Sequence, residues 1–253
     1  MDALSVLLTS DRPSQYFRQL QNSGDLNARL PELAACVGVP QNPIYHPEGD
    51  VFEHTLLVID CAAELRDPAV NPLGLMLSAL THDLGKALAT EVHPDGRITA
   101  YGHEQLGIEP CRQLVSRLTD DQTLIDYAVN MTWLHMRPNM LAEAKSRRKK
   151  TRQLFDLSVC PEDLILLSRA DASGKLDKPY DPGLEAFLRE RLKDYRNILT
   201  RPMVTEADLL TAGVAPGPDL EACLARARQL HLSGQERPRA LRQVLQEYNK
   251  AER

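Results

Sequence analysis

Apolar positions recur at helical spacing along most of the chain. In FEHTLLVIDCAAELR (52–66), His54, Leu57, Val58, Cys61 and Leu65 fall on one face. NPLGLMLSALTHDLG (71–85) is apolar nearly all round, which predicts a helix at the centre of the fold. LTDDQTLIDYAVNMTWLH (118–135) opens with Thr119 and Gln122 at capping-box spacing. CPEDLILLSRAD (160–171) opens with Pro161 and two acids, a helix start. Further helices are predicted over 103–117, 184–198, 219–231 and 236–250. The one strand signal is a short hairpin around TEVHPDGRITAYG (90–102), where Asp95-Gly96 is a turn dipeptide. The pattern predicts an all-α helical bundle. A Pro/Gly-rich break, AGVAPGPDL (212–220), sets a small C-terminal helical tail apart from it. No internal repeat or low-complexity segment is present.

The polar exceptions within this pattern carry the chemistry. His54 lies on an apolar helix face, His82 and Asp83 end the most apolar helix, and Asp171 ends another with Leu164, Leu167 and Ser168 on its own face. A buried carboxylate without a partner is costly. Four such groups delivered by three helices satisfy one another best by sharing a cation, since coordination offsets the desolvation of every ligand at once. His103 and His135, on the helices that follow, are two further candidate ligands. The plainer reading of any single histidine here is a satisfied core residue; the order H…HD…D is far more specific. His46 and His93 lie in turn-like segments and His231 in the tail, so all three are expected at the surface.

Composition narrows the classes. The chain has 253 residues, 43% hydrophobic and 26% charged, with a formal net charge of −5, so any nucleic-acid site must be local. No stretch has the apolar length of a membrane span. The N-terminus lacks a basic leader, and five scattered cysteines form no CxxC. Reduced cysteines and a cytoplasmic location are the expectation. One local basic run stands out: KSRRKKTR (145–152), six cations in eight residues. A solvated helix face is the plainer reading. The run falls between His135 and Asp171, so Arg148 and Lys149 can also rim the candidate site and draw in a phosphate backbone. Arg169, two residues before Asp171, can help from the same side.

FEHTLLV, LTHDLGKA and SRADASG resemble the signature of the HD-domain metal-dependent phosphohydrolases. GVPQNPIYHPEGDVFEHTLLVID, LTHDLGKALAT and YGHEQLG extend the likeness to the HD domain carried by bacterial CCA-adding tRNA nucleotidyltransferases. It is also similar to the HD phosphatase modules of bacterial RNA end-repair enzymes. The tail VTEADLLTAGVAPGPDLEACLARARQLHLSGQ resembles the segment after the nucleotidyltransferase HD domain. The chain contains no Gly-Gly dipeptide and no GxxxxGK[ST] loop, and only about 30 residues precede the match. A stand-alone HD domain, unable to add nucleotides, is therefore expected. It would comprise a phosphohydrolase domain over 1–200, with a helical lead-in over 1–30, and the tail over 201–253.

The resemblance implies a one- or two-metal hydrolase. Mixed imidazole and carboxylate ligands favour Mn, Fe, Co, Ni or Zn. One ion would use His54, His82, Asp83 and Asp171; with His103 and His135 a second ion fits, bridged by Asp83. Lys86, one turn after His82, either reaches a phosphate oxygen beside the catalytic Asp83 or caps a helix C-terminus. The implied substrate is a 2′,3′-cyclic phosphate or 2′-phosphate on an RNA end or nucleotide. The alternatives are a nucleotidase or dNTP phosphohydrolase, and a non-catalytic RNA-binding module. No protein partner is indicated.

Overall fold

A computed structural model describes residues 2–177 and 179–251. In chain order the helices are α1 (Ala3–Thr9), α2 (Ser14–Ser23), α3 (Leu26–Arg29), α4 (Pro31–Ala34), α5 (Val51–Ala63), α6 (Pro72–Thr81) and α7 (Lys86–Ala89). A two-stranded antiparallel hairpin follows, β1 (Glu91–Val92) and β2 (Ile98–Thr99), in the register Glu91↔Thr99. Then come α8 (His103–Leu106), α9 (Ile108–Leu118), α10 (Gln122–Leu134), α11 (Met136–Glu143), α12 (Arg148–Leu157), α13 (Pro161–Ser173), α14 (Pro182–Leu199), α15 (Glu206–Thr211), α16 (Pro218–Leu232) and α17 (Arg237–Ala251). The protein is all-α, as its periodicity predicts. None of its described helices is long and apolar enough to cross a membrane.

Helix α6 is the axis of the molecule. Its residues from Gly74 to Thr81 are all buried, and it packs against α5, α9, α10 and α13. Leu77 and Leu80 are fully buried, and truncating either to Ala would cost about 2–5 kcal/mol. Its start is set by Pro72 at the first turn and by Asn71, whose side-chain oxygen accepts from Gly74 N at 2.8 Å.

Asp163 ties that start to α13. Its carboxylate accepts from Val70 N and Asn71 N, each at 2.8 Å, and from the Tyr127 hydroxyl at 2.7 Å. The sequence reading took Asp163 simply as an acid in the first turn of α13; it is instead a buried structural anchor.

Three element boundaries differ from expectation. The helix from 103 breaks at Gly107 into α8 and α9. The axial helix ends at Thr81, and His82 and Asp83 stand in the turn that follows. Asp121, not Thr119, caps α10, accepting from Thr123 N and Leu124 N, because the helix begins at Gln122 and Asp121 is the residue immediately before it. The five cysteines are free, four of them buried.

Two hydrophobic clusters form. The larger spans α1 to α14 and takes in Leu232 of α16; the smaller joins Val204, Leu209, Val214, Leu220, Leu230 and Val244. The tail is fastened to the larger body by polar contacts as well. Arg228 pairs with Asp156, and Arg152 donates to Leu232 O at 3.2 Å. His231, expected at the surface, is buried and bonds Ile198 O at 2.8 Å. Its position on the inner face of α16 explains the difference.

Candidate metal centre

His82 and His135 occupy equivalent positions. Each is the residue that follows a buried helix, α6 or α10, with helical φ and ψ, and each ring Nδ1 donates to the carbonyl three residues back. The distances are 2.9 Å to Ala79 O and 2.6 Å to Thr132 O. His103 opens α8 after the left-handed Gly102, and its Nδ1 bonds Ala100 O at 2.8 Å. A carbonyl only accepts, so in all three neutral rings the proton is on Nδ1 and Nε2 carries a bare lone pair.

These lone pairs converge. His103 Nε2 lies 3.3 Å from His135 Nε2, two acceptors facing each other with no hydrogen between them in the neutral rings. Asp83 lies at the centre: its Oδ1 is 3.3 Å from His103 Nε2 and 3.5 Å from His135 Nε2. Its Oδ2 is 3.2 Å from His82 Nε2 and 3.7 Å from His54 Nε2. Asp171 completes the arrangement, its Oδ1 3.1 Å from His54 Nε2. Three trios of donors result among the described residues, the atoms of each within 4.8 Å of one another: His54–His82–Asp171 and Asp83–His103–His135, all six residues buried, and the partly buried His46–Glu48–His54. His82 Nε2 and Asp83 Oδ1 are buried without a hydrogen-bond partner. A chamber walled by acceptors fits a cation, and its donor set of imidazoles and carboxylates is one that divalent transition metals accept. These buried groups can hold a metal ion.

Two glycines make the convergence possible. A Cβ on Gly85 would stand 1.9 Å from His103 O and 2.5 Å from Gly107 N, so α7 and α8 approach closely enough to set His103 beside Asp83 only with glycine there. A Cβ on Gly174 would meet Val58 Cγ2 at 2.6 Å, so glycine also lets the end of α13 bring Asp171 against α5.

Charges around the cluster are strongly perturbed. Burial pushes the Asp83 carboxyl up, but the Lys86 ammonium, joined by the surrounding imidazoles in their protonated form, outweighs it and holds Asp83 well below the usual range. Asp171 behaves likewise, with Lys175 and His54 opposing burial. Burial pushes His135 down, whereas in His54 the carboxylates of Asp171 and Glu48 overcome burial and raise it.

Lys86 Nζ sits 2.7 Å from Asp83 Oδ2 and donates to Gln41 Oε1 at 2.7 Å, so it rests on the carboxylate and not on a helix carbonyl. Arg169 pairs with Glu185 and lies 5.8 Å from the Tyr180 ring. Tyr180, with Asp171 and Lys175, lines a cavity of about 340 Å³ that reaches the cluster at Asp171. Arg148 and Lys149 are placed apart from it on α12; Arg148 turns toward Asp194 at 3.6 Å, and Lys149 is exposed.

Sequence reading missed Glu48 and His46. The Glu48 side chain is 1% exposed, and its Oε1 lies 2.8 Å from both His46 Nδ1 and His54 Nδ1, while Oε2 accepts from Leu176 N at 3.3 Å. Glu48 is held down at about 2, His54 and His46 outweighing its burial, and burial with the nearby Lys86 brings His46 to about 4. His46, expected at the surface, is half-buried with its ring 4.7 Å from that of His54. HPEGD offers only turn signals, so burial there left no periodic trace. His93, also expected at the surface, is half-buried and bonds Thr99 Oγ1 at 2.9 Å across the hairpin.

No family model matches the chain. Over 248 residues it is 32% identical to a multifunctional CCA protein of Methylococcus capsulatus, covering 93% of this chain and 53% of that protein. It is 34% identical over 234 residues to the one from Xanthomonas campestris pv. campestris, covering 89% and 53%. With that of Actinobacillus pleuropneumoniae serotype 5b it shares 37% over 171 residues, covering 66% and 41%. The chain spans about half the length of the curated relatives it matches.

Proposed function

We propose that this protein is a metal-dependent phosphohydrolase, acting on a 2′,3′-cyclic phosphate or 2′-phosphate at an RNA end. The observation that carries the reading is the pair of buried donor trios, with Asp83 in one and its Oδ2 within 3.7 Å of the histidines of the other, and three imidazole Nε2 atoms stripped of protons by carbonyls three residues back. His54, His82 and Asp171 would hold one ion, and His103 and His135 a second, with Asp83 offering an oxygen to each. A divalent ion there supplies an acidified water and neutralises charge on the phosphate.

The chain's own residues do the rest. Lys86 Nζ, itself anchored on Gln41, holds Asp83 in place, which makes Lys86 a positioning residue. Glu48, beside His54 Nδ1, favours the tautomer that leaves Nε2 to the centre. Lys175, within 3.7 Å of Asp171 and on the wall of the 340 Å³ cavity, is the cation best placed to meet a phosphate. The HD-domain resemblance and the relatives' name, multifunctional CCA protein, direct the substrate toward an RNA end. A cytoplasmic location goes with that reading.

A nucleotidase for free mononucleotides is the second reading, favoured by the cavity itself, which lies at the small end of ligand-pocket volumes of roughly 300–1,000 Å³. The test is a screen of Mn, Fe, Co, Ni and Zn against 2′,3′-cyclic, 2′- and 3′-nucleotides, dNTPs and short RNAs. Turnover of 2′,3′-cyclic or 2′-phosphates above the others is expected. Turnover of dNTPs alone would select the nucleotidase, and none with any metal would overturn both.

A further inference from the structure

The 340 Å³ cavity beside Asp171 does not end at the cluster. Met140, on α11 and 58% exposed, lines it and also lines a second groove of about 570 Å³ between α11, α12 and α16. The two compartments are therefore adjacent across one side chain. We propose that this second groove is a track for single-stranded RNA, seating the nucleotides next to a terminal one held at the cluster. This rests on the phosphohydrolase reading above for the identity of the first compartment.

Charge and shape carry the argument. The groove has an apolar floor that includes Leu141, Leu154 and Leu157, and its rim carries Arg137 and Lys150. Arg137 stacks 4.5 Å from the Trp133 ring centroid, and among the described residues no carboxylate pairs with it or with Lys150. The other cations nearby are already committed. Arg228 is bound to Asp156, Arg152 to Asp194 and Leu232 O, and Arg148 points to Asp194. The structure thus sorts the basic run into cations spent on the tail and on α14, and cations that remain unpaired.

On a chain of net charge −5, unpaired cations beside an apolar floor complement a polyanion with stackable bases. Single strands are held by positively charged grooves that track the backbone while bases stack on aromatic side chains; this groove supplies the cations and offers leucine where others offer aromatic rings. An RNA duplex presents no unstacked base to such a floor. A docked protein segment would leave Arg137 and Lys150 without partners unless it were acidic.

The test is binding of a fluorescein-labelled RNA hexamer carrying 2′-O-methyl groups, followed by anisotropy at several salt concentrations. Wild type, Arg137→Gln, Lys150→Glu and the double variant are compared with Arg242→Glu, an exposed charge-matched control on α17. Circular dichroism melts verify folding. Expected is a loss of about tenfold in hexamer affinity for Lys150→Glu, more for the double variant, and a salt slope shallower by about 0.7 per phosphate contact removed. Arg242→Glu should bind as wild type does. Equal binding by all variants overturns the track, as does an equal loss in the control. A groove that instead holds a second copy would show a concentration-dependent dimer by light scattering, dissociated by Lys150→Glu, and this too overturns it. Wild-type turnover of a 2′,3′-cyclic mononucleotide is measured separately. Turnover without a groove effect refutes the track alone; a groove effect without turnover refutes the hydrolase reading alone.

Discussion

Asp83 and Asp163 are both carboxylates buried in the same core, at 2% and 1% exposure, and their surroundings are opposites. Asp163 meets donors: two backbone N–H groups and a tyrosine hydroxyl, all within 2.8 Å. Asp83 meets Lys86 on one oxygen, and otherwise faces imidazole nitrogens whose protons are turned the other way. Burial alone therefore does not distinguish an anchor from a ligand. The sign of the neighbouring groups does: donors satisfy a carboxylate, whereas acceptors leave it waiting for a cation.

The comparison breaks most visibly at Asp83. Asp83→Asn should abolish metal retention, read by elemental analysis, and drop hydrolysis to background. The metal-free variant should unfold in urea within about 1 kcal/mol of the metal-free wild type, because the amide oxygen can stay on Lys86 while its N–H₂ meets the imidazole lone pairs. Full metal content in this variant would remove Asp83 from the centre.

Asp163→Ala should do the reverse. Stripping three buried donors of their acceptor should cost about 3–5 kcal/mol by urea denaturation, while the folded fraction keeps its metal stoichiometry. A cost below about 1 kcal/mol would show that Asp163 is not the anchor its geometry describes.

Glu48→Gln sharpens the contrast, since Glu48 touches His54 from outside the two fully buried trios. Its loss should weaken metal affinity by about 10–100-fold in a competition titration with a chelator, with little change in melting temperature of the metal-free protein. An unaltered affinity would reduce Glu48 to a packing group.

The smallest effect belongs to a carboxylate nearer the surface. The Arg152 guanidinium lowers the Asp194 carboxyl, with partial burial opposing. A carboxylate lowered on folding contributes stability above its unfolded value, near 4, and loses it as pH falls through the folded value. Solvent screening keeps this pair under about 1 kcal/mol. Arg152→Ala should flatten the acid limb of the stability curve below about pH 4; an unchanged limb would show that Asp194 is not shifted.

Much of this was legible in the chain. Helices α5, α6, α10, α13, α14, α16 and α17 follow from apolar spacing, and the hairpin from Asp95-Gly96. His54, His82, Asp83 and Asp171 were legible because polar groups on apolar faces must find partners inside, and His103 and His135 only by their place on the helices that follow and by the resemblance. Other features were not. The cap on α10 moved to Asp121, and α8 broke from α9 at a glycine that helical spacing does not reveal. Glu48, Gln41 and Lys175 lie in or beside irregular segments, where no periodicity reports burial.

The sequence by itself determined that the chain is helical, which residues lie inside, and that a set of imidazoles and carboxylates lies among them. Those properties follow from spacing within one helix turn and from the cost of burying polar atoms, both local. Only the tertiary structure decided which Asp83 oxygen faces which histidines, which ring nitrogen is bare, and that Asp163 is an anchor. It also decided which cations of the basic run stay unpaired, and that α16 closes a groove over them. Those outcomes depend on how helices cross, and so on contacts between residues such as His54 and Asp171, 117 positions apart. Spacing along one helix cannot encode such a contact.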